Sequence, residues 1–424
     1  MPESLQSWLS LLEHRHHKSI DLGLERCARV WHAMGAPRPA RRIATIAGTN
    51  GKGSTVAYLS ALLASGGARV GTYTSPHLLR FNERVRIAGV DASDEALVAA
   101  FEMVEAARGA VSLTYFEFTT LAAFHLMHTE RLDWAVLEVG LGGRLDTVNL
   151  VDADLAVITP IGLDHQEYLG DSRNAIAREK AGIMRAGKPV VCGDRNPPET
   201  LLEMARELGA PIHLLGPDFD VEDSNPARFR WVDRQHAFPE PPLPGRHQRD
   251  NLATAMAALA VLAPGLLADR EAVQTALATV SVPGRLSPHP ADDRVLLDVG
   301  HNPLAAGVVA AALAARTTAA VHCVLGMLRD KDVEGAVAAL AGQVSHWYLA
   351  SLDGARGQSG QSLHKRLRNV PGARRATSFD SVAQALDVAR KQAGATDTVL
   401  VFGSFQTVAA ALRRLDQSRA AETG

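Results

Sequence analysis

The chain is poor in cysteine: three in 424 residues, Cys27, Cys192 and Cys323. They lie far apart and form no CxxC pair, so neither a disulfide framework nor a zinc site is expected; reduced, buried thiols are. There is no basic excess either. The formal net charge is −2, which gives no reason to expect nucleic acid as a partner. An anionic substrate would have to be met by local positive charge. Long apolar runs are missing. The Ala/Leu stretch 252–267 is broken by Pro264 and Gly265 and reads as a buried helix, not a membrane span. The segment 1–17 is polar and has no signal-peptide core. A cytoplasmic protein without a membrane partner is expected. No short internal repeat and no low-complexity tract occurs.

What remains is ordinary globular material, 46% hydrophobic and 21% charged, in a length that fits two or three domains. Apolar, β-branched runs at 42–47, 70–73, 134–139 and 155–159 read as buried strands, with helical stretches between them. This alternation predicts an α/β fold with a mostly parallel sheet. The pattern restarts late: strands at 294–299, 320–325, 347–350 and 398–402, helices at 304–316 and 406–415. Pro/Gly-rich breaks at 239–245 and 281–290 separate the halves. They suggest an N-terminal domain over 1–287 and a smaller one over 288–424.

The run Gly48-Thr49-Asn50-Gly51-Lys52-Gly53-Ser54-Thr55 stands between the first strand and a helix expected over 56–64. Glycines let backbone N–H groups converge on phosphate oxygens, the helix N-terminus adds its dipole, and a lysine adds a point charge. The run departs twice from GxxxxGK[ST]. Ile46 stands at the first glycine, and Gly53 follows Lys52, so the metal-facing hydroxyl moves to Ser54. Three further residues suited to Mg²⁺ follow strands: Ser75, Glu138 and His165. Open α/β sheets bind ligands at the carboxyl ends of strands, and Mg²⁺ takes hard oxygen ligands with an occasional imidazole. Each residue alone reads more simply as a turn, a solvated carboxylate or a loop histidine; together around a phosphate loop they read as a metal set. Lys180, in Glu179-Lys-Ala-Gly182 near an expected helix start, is a phosphate-binding or surface lysine, or a ligand if carbamylated.

These segments resemble the bifunctional dihydrofolate synthase/folylpolyglutamate synthase family of the Mur-ligase superfamily. The resemblance is carried by the loop 48–54, Ser75-Pro-His-Leu78, Leu137-Glu-Val-Gly-Leu-Gly-Gly-Arg-Leu-Asp146, Leu163-Asp-His165, Glu179-Lys-Ala-Gly182, Asp298-Val-Gly-His-Asn-Pro303 and Gly326-Met-Leu-Arg-Asp-Lys331. It implies a Mur-ligase-like phosphate-loop domain and a Rossmann-like C-terminal α/β domain that closes over ATP. It also implies ATP and Mg²⁺, at one or two sites, with Thr49, Asn50, Gly51, Lys52, Gly53 and Ser54 on the phosphates. Ser54, Ser75, Glu138, His165 and a carbamylated Lys180 would hold metal. Asn251, Arg285 and Asp298 would contact nucleotide. His301 would be either the base for the incoming amine or a contact to ATP or glutamate.

The stretch Ser112-Leu-Thr-Tyr-Phe-Glu-Phe118 resembles the dihydropteroate-binding segment of the bacterial bifunctional enzymes. By resemblance, Thr114, Tyr115, Phe116 and Glu117 contact that substrate, with Leu145, Asp146 and Thr147 beside them and Ser19, Ile20, Asp21 and Leu22 as another wall. Tyr115, Phe116 and Phe118 offer flat apolar surface for a pterin, or else pack a helix to the sheet. The implied reaction is ATP-dependent ligation of L-glutamate to dihydropteroate and to tetrahydrofolates through an acyl phosphate, by a monomer. Lys52, Lys180 and His301 are the expected catalytic residues. The rivals are a monofunctional folylpolyglutamate synthase, a Mur-type amino-acid ligase and a nucleotide-binding regulator.

Overall fold

The structure, a computed structural model, describes residues 2–18, 20–222, 228–232, 234–237, 241–316, 320–373 and 375–423. It divides into two compact units. The first comprises 1–162, 166–242 and 249–280; the second comprises 163–165, 243–248 and 281–424.

The first unit is built on β1 (Ala40–Ala47), β2 (Val70–Tyr73), β3 (Val85–Ile87), β4 (Val90–Asp91), β5 (Leu132–Glu138), β6 (Leu155–Ile158), β7 (Val190–Cys192) and β8 (Ile212–Leu214). They form one eight-stranded sheet in the order β4-β3-β2-β5-β1-β6-β7-β8. The six strands from β2 to β8 across that order are parallel, and β3 and β4 add an antiparallel edge. The central strands are near-continuous apolar runs, as burial on both faces demands, and every residue of β5 but Asp133 is buried. Register sets Ile46 beside Glu138, Ala47 beside Ile158 and Tyr73 beside Leu137. The carboxyl ends of β1, β2, β5 and β6 therefore sit side by side. An antiparallel sheet of β9 (Phe219–Glu222), β10 (Arg228–Trp231) and β11 (Arg234–Ala237) belongs to the same unit and has no counterpart among the expected strands. Arg195 fastens it, bridging Asp220 on β9 at 2.8 Å and Asp250 at 2.6 Å.

Two helices of this unit bear on the site. Lys52–Ser65 starts directly after Gly51, four residues earlier than expected. Tyr115–Thr129 starts at a capping box: Thr114 Oγ1 accepts from the Glu117 amide, and the Glu117 carboxylate accepts from the Thr114 amide. Its Phe118 is fully buried, 5.9 Å from Trp8 and 5.6 Å from Phe101. Phe118 is thus core, and the expectation of a stacking surface there is corrected. The helical period carries it to the opposite side of the turn from Phe116.

The second unit holds β12 (Arg285–His289), β13 (Asp292–Asp298), β14 (Val321–Leu325), β15 (His346–Ala350), β16 (Ala376–Phe379) and β17 (Thr398–Phe402), ordered β12-β13-β17-β14-β15-β16. All neighbours are parallel except the β12/β13 pair. The expected connector 281–290 is half strand: Pro288 is tolerated because β12 is an edge. The division in packing comes at 280/281, whereas a boundary at 287/288 falls inside β12. Residues 239 and 240 of the other expected break lie outside the described residues. No helix among the described residues is long and apolar enough to cross a membrane.

Candidate active site

The loop after β1 is shaped by two glycines. Gly51 caps the following helix with φ +87°, and a Cβ there would lie 2.5 Å from Asn251 Oδ1. A Cβ on Gly48 would lie 1.8 Å from Thr159 Oγ1. Only glycine allows both approaches. Thr49 locks the loop to the end of β6: its amide donates to Pro160 O at 2.9 Å, and its hydroxyl accepts from Gly162 N at 3.0 Å. Thr159 Oγ1 donates to Asn50 O at 2.7 Å. No side chain caps the helix at Gly51. The amides of its first turn, at Lys52, Gly53 and Ser54, therefore have no intrahelical acceptor and carry the positive end of the dipole.

Two lysines converge on this turn. Lys52 Nζ donates to Gly48 O at 3.2 Å and Thr49 O at 3.3 Å, and stands 4.0 Å from Glu138 Oε1. Lys180 Nζ is buried and donates to Gly48 O at 2.8 Å. Lys180 ends its helix, Arg173–Ala181, in the last turn. The expected helix start is corrected: Ser172 provides the N-cap eight residues earlier, and Gly182 the C-cap. The Ser75 amide donates to Glu138 Oε2 at 3.4 Å. Thus the loop, Asn251, Ser75, Glu138 and Lys180 come together within the first unit. Ser54 and Glu138 are buried, at 1% and 4% exposure. Their oxygens, with Ser75, are hard donors that suit Mg²⁺; an ammonium at Lys180 does not. Among the described residues, no three His, Cys, Asp or Glu side chains cluster as a metal site by themselves.

His165, Arg285, Asp298 and His301 belong to the second unit. In that unit Asp164 gathers Lys331, Asn302 and His301. Lys331 Nζ donates to it at 2.6 Å, Asn302 Nδ2 at 3.1 Å, and His301 Nε2 lies 3.4 Å away. Burial pushes the Asp164 carboxyl up, but the His301 hydrogen bond and the Lys331 charge outweigh it and hold it well below the usual carboxylate range. His301 Nδ1 lies 3.0 Å from Val299 O. A carbonyl only accepts, so Nδ1 carries a proton. His165 has φ +52°, a strained value for a non-glycine residue, and its Nε2 lies 3.4 Å from Lys331 Nζ. Asp298, at the end of β13, accepts from Leu286 N and Gly300 N at 2.9 and 2.7 Å. Burial raises its pKa, against the pull of those amides and of Arg285. Arg285 lies over the Phe405 ring at 5.6 Å. Asp164 and Lys331 do carry a visible signal: both lie in motifs of the family resemblance, and Asp164 directly precedes His165.

The remaining residues also belong to the first unit. Ile20, Asp21 and Leu22 are half-buried; Ser19 lies outside the described residues. Tyr115 and Phe116 are half-buried, and Phe116 lies against Gly140, where a Cβ would meet its ring at 2.5 Å. Tyr115 has Arg84 over its ring at 5.5 Å, and burial pushes its hydroxyl pKa up to about 12. Leu145 is half-buried; Asp146 and Thr147 are buried. Asp146 accepts from Leu141 N and Val148 N at 2.8 and 2.9 Å, yet burial raises its carboxyl to about 6. Thr114 and Glu117 are buried in their capping box.

The Mur ligase middle domain matches residues 46–259, and the Mur ligase glutamate ligase domain matches residues 284–405. The dihydrofolate synthase/folylpolyglutamate synthase of Escherichia coli K12 is 45% identical over 418 residues, covering 98% of this chain and 96% of its own. That of Bacillus subtilis is 30% identical and covers 97% of this chain and 99% of its own. The solved structure of Escherichia coli FolC in complex with DHPP and ADP has a TM-score of 0.91 at 42% identity, covering 99% of this chain and 100% of its own. The bifunctional enzyme of Yersinia pestis, complexed with AMPPNP and Mn ion, also gives 0.91 at 42% identity, covering 98% and 100%. At this identity and coverage, the chain belongs to the dihydrofolate synthase/folylpolyglutamate synthase family of the Mur ligases.

Proposed function

We propose that this protein ligates L-glutamate to dihydropteroate, forming dihydrofolate, and to tetrahydrofolates, forming folylpolyglutamates, at the expense of ATP. The observation that carries the reading is the turn at 48–54. There an uncapped helix N-terminus and two converging lysines face the carboxyl ends of the central strands. Such a turn suits a polyphosphate. Relatives with the same fold are solved with ADP and DHPP, and with Mn, AMPPNP and L-glutamate.

The γ-phosphoryl of ATP moves to the substrate carboxylate, giving an acyl phosphate and ADP. The glutamate amine then attacks the acyl carbon, phosphate leaves, and an amide remains. Both partners of the first step are anionic, so its barrier is largely electrostatic. Lys52 and the amides of residues 52–54 offset that charge and align the phosphates. Asn251, against Gly51, bounds the nucleotide side of the loop. Ser54, Ser75, Glu138 and His165 would hold Mg²⁺, with Lys180 joining them if carbamylated. The bound metal would neutralise phosphate charge in the transfer. Arg285 and Asp298 are read as nucleotide contacts. His301 is read as a binding contact rather than a base, because its Nδ1 is spent on Val299 and its Nε2 faces Asp164. We assign the C-terminal unit the glutamate site and place the reaction in the cytoplasm, by a monomer.

The test is product analysis by mass after incubation with ATP, glutamate and either dihydropteroate or tetrahydrofolate. Dihydrofolate and a lengthened folate are the expected products. A product from tetrahydrofolate alone would reassign the chain as a monofunctional folylpolyglutamate synthase. Lys52→Ala should abolish glutamate-dependent phosphate release, and retained turnover would remove the loop from the mechanism.

A further inference from the structure

The three segments read as the pteroate site, 20–22, 114–117 and 145–147, share no element. One residue from each nevertheless meets Arg26 or Cys27, adjacent in the first turn of the helix Glu25–Ala33, and Glu117 meets both. Arg26 Nη1 donates to Asp21 Oδ2 at 2.6 Å, and Nη2 donates to the Asp21 carbonyl. The same guanidinium forks onto Glu117, with Nε 3.1 Å from Oε2 and Nη2 2.9 Å from Oε1. Cys27 Sγ donates to Glu117 Oε1 at 3.0 Å and lies 3.6 Å from Thr147 Oγ1. Burial and the Glu117 charge push the Cys27 thiol well above its usual range, so it keeps its proton and stays a donor.

Glu117 is thereby fully used. Oε1 receives Arg26 Nη2 and Cys27 Sγ; Oε2 receives Arg26 Nε and the Thr114 amide at 2.7 Å. An ionised carboxylate offers about four acceptor sites. None is left for a substrate donor, and the carboxylate is 4% exposed. Glu117 therefore acts through its partners. Resting on the reading of these segments as the pteroate site, we propose that Arg26 is a positioning residue for the acid substrate. It fixes the 20–22 segment against the start of the 115–129 helix, and so sets affinity for the pteroate acid without touching it. A lysine could not replace it, because a point charge cannot fork onto Glu117 and reach Asp21 at once.

The test is steady-state kinetics of the full-length chain with Arg26→Gln, Arg26→Lys and the double variant Arg26→Gln/Glu117→Gln. The KM for dihydropteroate should rise about tenfold or more in Arg26→Gln, as expected for loss of charged hydrogen bonds. The KM for ATP and glutamate, and kcat, should stay within about twofold, below the energy of one such bond. Arg26→Lys should fall between. The double variant removes the unpaired buried charge, so its thermal stability should recover while KM for dihydropteroate stays high. If stability and KM recover together, the role is structural and the proposal is overturned. Phe116→Ala tests the pocket itself. Unchanged KM for dihydropteroate in Phe116→Ala rejects the pteroate site; raised KM there with unchanged KM in Arg26→Gln rejects only the role of Arg26.

Discussion

The Nζ of Lys180 donates to the carbonyl of Gly48 at 2.8 Å across 132 residues of chain. The last turn of one helix thus pins the turn that opens another, and the pinning group is a buried lysine.

Replacing Lys180 by Ala should lower glutamate-dependent phosphate release by roughly 100-fold or more, the usual effect of losing one preorganised electrostatic group. Adding short carboxylates tests for the carbamate. Partial rescue assigns a carbamate to the native side chain. Full loss without rescue gives the carbamate no support.

Gly51→Ala should weaken ATP binding measured by calorimetry. The left-handed φ of +87° costs an alanine about 1–2 kcal/mol. Its Cβ would also displace Asn251, whose Oδ1 stands 2.5 Å from that position. Affinity equal to wild type would show that the turn relaxes without cost.

Lys331→Met removes the closest cation from Asp164, whose side chain is 10% exposed. Leaving one charge of a largely buried pair should cost about 3 kcal/mol in urea unfolding. The double variant Lys331→Met/Asp164→Asn should be less destabilised than Lys331→Met alone, because no carboxylate is then stranded. Equal losses would mean that Asn302 and His301 suffice for Asp164.

Asp146 makes a prediction in pH. Its folded-state pKa is raised to about 6 from 3.8, so the native chain holds this proton after the unfolded chain has released it. The stability it contributes is complete below 3.8 and is lost as pH rises through about 6. The stability of wild type relative to Asp146→Asn should therefore fall between about pH 4 and pH 7 in chemical denaturation. A difference that rises over that range would reverse the sign of the shift.

The parallel sheets are readable because buried parallel strands are unbroken apolar runs, and 70–73 and 398–402 match their strands to the residue. The sheet of β9, β10 and β11 escapes such reading because Arg228-Phe-Arg-Trp231 alternates charge with aromatics, and four residues are too few for that alternation to stand out from a loop. Tyr115, Phe116 and Phe118 look alike in one dimension, and only the helical turn separates the core residue from the other two. Lys180 stands against the phosphate loop, yet at the end of its helix rather than the start, since Gly182 is a C-cap. Arg26 and Asp164 act through geometry between distant segments, and no spacing along the chain encodes that.

The loop carbonyls of Gly48 and Thr49 keep Lys52 occupied. A nucleotide must draw the ammonium away from two carbonyls with the Glu138 carboxylate 4.0 Å off, so its gain is only the margin by which its own oxygens are better. That margin is wide for phosphate oxygens and nearly nil for a ribose hydroxyl. The resting loop therefore works as a threshold on ligand charge, and adenosine should compete with ATP far less than their shared base would suggest.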